Sequence, residues 1–150
     1  MALQVRSFQP DDEAAVIALW QRCGLTRLWN DPAKDIRRKL AEQPELFGVL
    51  CEGDALIGTV MAGYEGHRGW INYLAVSPDR QREGHGQRLM AWAEARLRER
   101  GCPKINLQVR QGNEAVLAFY AAIGFANDQV VSLGKRLEND DVTQQPAGAR

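Results

Sequence analysis

Apolar residues recur along this chain with two different periods, and the switches between them predict an alternating order of strands and helices. Leu3 and Val5 alternate with Gln4 and Arg6, the period-two pattern of a half-buried strand over residues 3–8. The period then lengthens. Val16, Leu19, Trp20 and Cys23 form one helical stripe, opened by Pro10-Asp11-Asp12 with an aspartate as the expected N-cap and closed by Gly24. Asp31-Pro32 opens a second helix, a cap followed by proline in the first turn. Ile36 and Leu40 give it a thin apolar face, and Arg37, Arg38 and Lys39 a solvated one. Residues 46–51 and 55–64 predict two strands joined at Glu52-Gly53-Asp54, a hairpin signal. A second turn over residues 65–69 leads into 70–76, an apolar, uncharged strand that stops at Ser77-Pro78-Asp79, because proline donates no ladder hydrogen bond.

The loop Arg80-Gln81-Arg82-Glu83-Gly84-His85-Gly86 then opens a long helix reaching about Arg100. Gly86, Leu89, Met90, Ala93 and Leu97 share one stripe, Glu94 and Arg98 can pair on the outer face, and Gly101 with Pro103 makes a stop. Residues 104–110 alternate, with Ile105, Leu107 and Val109 on one face. After Gln111-Gly112, Asn113 caps a short helix whose Val116, Phe119, Tyr120 and Ile123 are periodic. Gly124 ends it, and Phe125 can fold back on its last turn in a Schellman arrangement. Residues 130–137 predict a last strand, and the polar residues 138–150, with Pro146 and Gly148, an unstructured tail. The expectation is one mixed α/β domain over residues 1–137.

Composition narrows the function classes. A chain of 150 residues, 45% hydrophobic and 25% charged, is ordinary for one globular domain. Nineteen basic residues balance nineteen acidic ones, which argues against a nonspecific nucleic-acid binder. The three cysteines, Cys23, Cys51 and Cys102, are odd in number and widely spaced, so neither a disulfide framework nor a zinc knuckle is indicated. His67 and His85 are the two histidines and lack metal-ligand spacing; no metal is expected. No apolar run approaches the ~18 residues of a membrane span, and residues 1–10 lack the apolar core of a signal peptide. A cytoplasmic protein, monomeric or homodimeric, is expected.

The glycine loop carries the most specific chemistry. The first turn of a helix has unpaired N–H groups and the positive end of the helix dipole. Gly84 and Gly86 have no Cβ to block a ligand's approach, and Arg80, Arg82 and Arg88 add charge. This is an anion site suited to phosphate or pyrophosphate. A P-loop is excluded, since no Gly-x-x-x-x-Gly-Lys-Ser/Thr run exists. The dinucleotide fingerprint fails too, because Leu89 stands where its third glycine belongs and no second βαβ half follows.

What remains, Gln81-x-x-Gly84-x-Gly86 after an apolar strand, resembles the acetyl-CoA loop of the GNAT N-acetyltransferase superfamily, Gln/Arg-x-x-Gly-x-Gly/Ala. Residues 113–125, NEAVLAFYAAIGF, resemble the family's Asn-x-x-Ala-x-x-x-Tyr-x-x-x-Gly-Phe segment, and the element order matches from Leu3 to Leu137. The stretches ALWQRCGLTRLWNDP and GTVMAGYEGHRG resemble the YpeA-like branch, close to the RimI-like peptide acetylases. The resemblance implies a GNAT-like mixed sheet, mainly antiparallel with a parallel splayed central pair, flanked by about four helices. It implies acetyl transfer from acetyl-CoA to a primary amine.

By the same resemblance, Gln81, Arg82, Glu83, Gly84, His85, Gly86 and Gln87 surround the pyrophosphate, and Leu74, Ala75 and Val76 take the pantetheine arm along their backbone. A backbone N–H there faces the thioester. Asn113 adds a coenzyme contact, and Tyr120 is the general acid for the departing thiolate. The two early helices and the turn after the long hairpin surround the acceptor entrance. That makes Trp29, Asn30, Asp31, Tyr64, Glu65, His67 and Arg68 acceptor-side candidates, with Arg68 able to hold a carboxylate. Each also has a plainer role as a turn or cap residue. RimI-like enzymes carry a glutamate in a Leu-Glu-Val run; here the run is Leu107-Gln108-Val109, and an amide accepts no proton at useful pH. Glu65, His67 and Asp31 remain as bases acting through water. The acceptor is then a small molecule or amino-acid-like amine, with a protein N-terminus or lysine as the alternative. A non-catalytic CoA-binding module and a nucleotide-binding domain are the readings from other classes.

Overall fold

Residues 2–141 are described in a computed structural model. Five strands form one sheet in sequence order: β1 (Leu3–Ser7), β2 (Phe47–Glu52), β3 (Ala55–Tyr64), β4 (Gly69–Val76) and β5 (Ile105–Leu107). β1 to β4 pair antiparallel, and β5 joins β4 in parallel, Gly69 opposite Ile105 and Ile71 opposite Leu107. Helices α1 (Glu13–Arg22) and α2 (Pro32–Leu40) precede the long β-run; α3 (His85–Glu99) and α4 (Glu114–Ala122) follow β4 and β5. Among the described residues, no helix is long and apolar enough to cross a membrane.

Strand alternation divides the sheet between two cores. Val16, Leu19, Trp20 and Ile36 pack with Phe8, Phe47 and Val49, where Phe8 stacks on Phe47 at 4.7 Å between centroids. On the other face Leu89, Met90, Ala93 and Leu97 of α3 meet Leu50, Ile57, Val60 and Ile71, and Tyr120 joins from α4. Each fully buried Val, Leu, Ile, Phe or Met among them contributes about 1.5–3 kcal/mol. The predicted stripes of α1 and α3 are therefore the core-facing stripes.

The helix ends differ in how far they follow expectation. Asp31 caps α2 through Ala33 N (2.9 Å) and Lys34 N (3.2 Å), with Pro32 in the first turn. Asn113 caps α4 through Val116 N at 3.3 Å. Asp12 does not cap α1. A 3-10 turn over Pro10–Asp12 precedes that helix, and Asp12 turns back to accept from Gln9 N and to pair with Arg6 at 2.8 Å. Hydrogen bonding to Arg6 lowers the Asp12 carboxyl's pKa.

Two features of β4 shape the site. Thr59 faces Ala75 and Met61 faces Asn72, so Val60 is opposed by both Tyr73 and Leu74. This is a β-bulge, and Tyr73 sits in it at φ 51°, a left-handed conformation uncommon for tyrosine. The extra residue breaks alternation. Ile71 packs on the α3 side, and Tyr73, which alternation would place there too, packs against Trp20 on the other face. β5 is also shorter than the predicted 104–110, because its pairing to β4 ends at Leu107. Past that point the two strands part.

The predicted last strand over residues 130–137 is absent. Val130, Val131, Leu133 and Leu137 are 76–93% exposed on an irregular segment. A strand needs a backbone ladder, and this segment is tied instead by side chains: Lys104 to Asp128 at 2.8 Å, Gln108 to Ser132, and Arg136 to Asn30 at 3.2 Å. The parallel pair therefore lies at the end of the sheet rather than inside it. The chain stays attached past the expected boundary at 137. Asp140 accepts from Arg38 (2.9 Å) and from the Asp31 N–H (3.0 Å), and Glu138 approaches Arg38 at 3.3 Å. The rest of the expected tail, residues 142–150, lies outside the described residues.

The Asp140 clamp is testable. The Arg38 hydrogen bond, helped by the Asp31 N–H, holds its carboxyl down to about 2. A depressed carboxyl contributes its full attachment above the unfolded pKa of about 4 and loses it as pH falls through the folded value. Asp140→Asn is expected to speed tryptic cleavage after Lys135 and Arg136 at neutral pH with little change in Tm. Unchanged cleavage would mean that the clamp does not hold the segment.

Candidate active site

The glycine loop is built by a turn and a helix start. A 3-10 turn over Pro78–Arg80 leaves β4, and Gly84 is the N-cap of α3 at φ 82°. The first helical bond runs from Arg88 N to the Gly84 carbonyl, so the N–H groups of His85, Gly86 and Gln87 have no acceptor within the helix. The two glycines serve different ends. A Cβ on Gly84 would meet nothing within 4 Å, so its face is open; its positive φ also favours glycine. A Cβ on Gly86 would lie 3.2 Å from the Phe119 ring and 4.0 Å from Val76 Cγ2. Gly86 thus lets the loop, the end of β4 and α4 close on one another.

The loop's charges are not all available. Arg80 is held by both Glu52 oxygens, at 2.7 and 3.2 Å, and by Glu83 at 3.1 Å, so it anchors the loop to the β2 end instead of facing an anion. Arg82 and Arg88 have no ion pair among the described residues. Gln81 donates weakly to the Val76 carbonyl at 3.4 Å. His85 is buried beneath the loop; its Nε2 meets Glu83 at 2.9 Å and its Nδ1 has no partner among the described residues. Hydrogen bonds from His85 and Arg80 lower the Glu83 carboxyl's pKa.

Tyr120 stands on the far wall of this junction. Phe125 N bonds the Tyr120 carbonyl at 2.9 Å and Gly124 N the Ala121 carbonyl at 3.1 Å, the two bonds of a Schellman cap. That cap sets Phe125 edge-on to the Tyr120 ring at 5.5 Å, while Phe119 flanks it at 5.1 Å. The ring is buried, its hydroxyl bonds no group among the described residues, and burial pushes the phenol up to about 12. It is a protonated donor with a spare proton.

A family model described as the acetyltransferase (GNAT) family matches residues 8–125. The chain belongs to the GNAT acetyltransferase family. Among curated relatives, a Pectobacterium atrosepticum protein named an acetyltransferase is 46% identical over 138 residues, 92% of this chain and 98% of that one. Among solved structures, Ard1 from Thermoplasma volcanium is 28% identical with TM-score 0.73, covering 84% of each chain. A NatC complex bound to Gag peptide and CoA shares the fold at 22% identity and TM-score 0.72, over 84% of this chain and 86% of that one.

On this GNAT scaffold the acceptor-side candidates separate into two groups. Trp29, Asn30 and Asp31 gather where β4 and β5 part. The Arg110 guanidinium lies over the Trp29 ring at 5.5 Å, Arg136 donates to Asn30, and Asp31 is occupied in capping α2. Tyr64, Glu65, His67 and Arg68 sit at the opposite end of β4. Register places Tyr64 against Gly69, four residues and about 13 Å of strand before Tyr73 in the bulge. Their side chains hold the turn itself: Glu65 accepts from His67 N (2.5 Å) and Arg68 N (2.6 Å), Arg68 donates to the His67 carbonyl, and Tyr64 to the Gly66 carbonyl. Those backbone bonds lower the Glu65 pKa. Sequence reading did not single out Thr59, Tyr73, Asp35, Arg110 or Arg136. Thr59 did leave a signal, a polar residue inside a buried apolar run, which must find a partner.

Proposed function

We propose that this chain moves the acetyl group of acetyl-CoA directly to the primary amine of a small-molecule or amino-acid-like acceptor. The observation that carries this reading is the junction at Gly86, where the open helix start, the end of β4 and the Tyr120 helix close together beside the parting of β4 and β5. The unpaired amides of His85, Gly86 and Gln87, with Arg82 and Arg88, fit a pyrophosphate. The backbone of Leu74, Ala75 and Val76 fits the pantetheine arm, and Asn113 lies at the α4 end of the same junction. Acetyl-CoA supplies the acetyl group as a thioester. In the transfer the amine nitrogen bonds the acyl carbon, the carbon–sulfur bond breaks, Tyr120 protonates the sulfur, and the amine gives a proton to water.

Position 108 holds an amide that bonds Ser132 rather than a RimI-type base, and Glu65 and His67 are remote. An acceptor that arrives already neutral suits the site. Arg110 and Arg136 rest on adjacent residues of one loop with no carboxylate partner among the described residues, which favours an acceptor that also bears a carboxylate. The test is CoA thiol release with matched acceptors: amino acids, their amides, simple amines and peptides. At equal concentration of unprotonated amine, amino acids are expected to outrun their amides, with Arg110→Ala raising KM and leaving the acetyl-CoA Kd unchanged. Turnover confined to peptides would replace this reading with protein acetylation. Binding of acetyl-CoA with no turnover on any acceptor would leave a CoA-binding module.

A further inference from the structure

The β4 bulge is held by a buried chain of polar contacts that lies outside the loop and α4. Trp20 Nε1 donates to Thr59 Oγ1 at 2.9 Å, and the Thr59 hydroxyl donates to the Tyr73 carbonyl at 2.8 Å. Thr59 and Trp20 are fully buried. Tyr73 stacks on Trp20 at 3.8 Å between centroids, nearly parallel, and its phenol donates to Asp35 Oδ2 at 2.6 Å. Asp35 in turn pairs with Arg38 at 2.8 Å. Tyr73 is therefore gripped at its carbonyl, at its ring and at its hydroxyl, from α1, β3 and α2.

Such a grip exceeds what strand pairing requires. A tyrosine at φ 51° is held against its own preference, and strained backbone persists only where its surroundings over-determine it. The consequence falls on the next residues. Leu74 lies in the bulge and Ala75 and Val76 follow it directly, and the bulge sets which way their N–H groups point. An N–H that receives a thioester carbonyl must be fixed beforehand, because a donor that reorients during reaction loses most of its effect.

We propose that Thr59, braced by Trp20, and Tyr73, braced by Asp35, are positioning residues that lock the β4 bulge and so aim a backbone N–H of Leu74, Ala75 or Val76 at the acetyl carbonyl. This rests on the acetyl-CoA reading above. It adds that acyl recognition is set from the α1–α2 side of the sheet, the face opposite α3 and α4.

The experiment compares backbone amide shifts by NMR in the parent, Thr59→Ser and Thr59→Val proteins, each with CoA and with acetyl-CoA, below the melting temperature of all three. CoA is expected to move the amides of Gly84, His85, Gly86 and Gln87 in every protein. Acetyl-CoA is expected to move one β4 amide further downfield than CoA does in the parent and in Thr59→Ser. Thr59→Val is expected to lose that difference while keeping the loop shifts. Survival of the difference in Thr59→Val, or its absence from the parent when the loop shifts are present, would overturn the proposal. Absence of loop shifts in the parent would instead sink the acetyl-CoA reading. Should Thr59→Val fail to fold, Tyr73→Phe, which removes the hydroxyl's bonds to Asp35 and Asn30 and keeps the ring, carries the same test. Its acetyl-dependent shift is expected to shrink, and an unchanged shift counts against the proposal.

Discussion

Acetyl-CoA is expected to raise the melting temperature of the parent protein and to leave that of Gly84→Val unmoved. A ligand at a hundredfold excess over its Kd that binds only the native state adds about 2.7 kcal/mol of stability. For a domain of this size that is about 5–10 °C. The open face of Gly84 lies beside the amides of the first α3 turn, so a branched side chain there would fill the approach an anion needs. Valine also resists φ 82°, so this variant is expected to melt lower even without ligand. Gly84→Asn separates the two effects, because asparagine tolerates the left-handed region and still adds a side chain. Gly84→Val should lose the acetyl-CoA shift and Gly84→Asn most of it. If Asn keeps the full shift, backbone strain rather than a blocked approach explains the valine result. If Val itself keeps it, the coenzyme's phosphates are held elsewhere.

Tyr120→Phe is expected to lower kcat by about 10²–10⁴-fold, the usual worth of one positioned proton donor, with the acetyl-CoA Kd nearly unchanged. The ring contacts to Phe119 and Phe125 survive the substitution, and the lost hydroxyl leaves no partner stranded among the described residues. Stability is therefore a poor readout and kcat a clean one. Burial pushes the phenol up to about 12, so the donor stays protonated well past neutrality. The rate should rise with pH as the acceptor amine loses its proton, and Tyr120 should add no alkaline limb below about pH 11. Parent-like turnover in Tyr120→Phe would mean that the ring only packs and that solvent protonates the thiolate.

Local chemistry made much of this protein legible in the chain itself. The stripes of α1 and α3, the Asp31 and Asn113 caps, the Gly53-Asp54 hairpin and the Gly124-Phe125 stop each depend on residues within a few positions of one another. The structure carries each of them. The glycine loop belongs to the same class, because a helix start and its unpaired amides are local facts. What tertiary structure decided is what depends on partners far along the chain. The 130–137 segment has strand-forming residues, yet without a backbone partner along β5 it runs as an exposed segment tied by side chains. Arg80 looks like an anion ligand until Glu52, 28 residues away, claims both of its guanidinium arms. The turn at Glu65 and Arg68 looks open to an acceptor until β4 pairing sets it at the far end of the sheet. Tyr73 shows the limit most clearly. It is a good strand residue in an apolar run, and only the extra residue opposite Val60 turns it onto Trp20 and brings its hydroxyl to Asp35. Period and propensity report each residue's preference for its own backbone, whereas register and the pairing of buried polar groups are set only when distant strands meet.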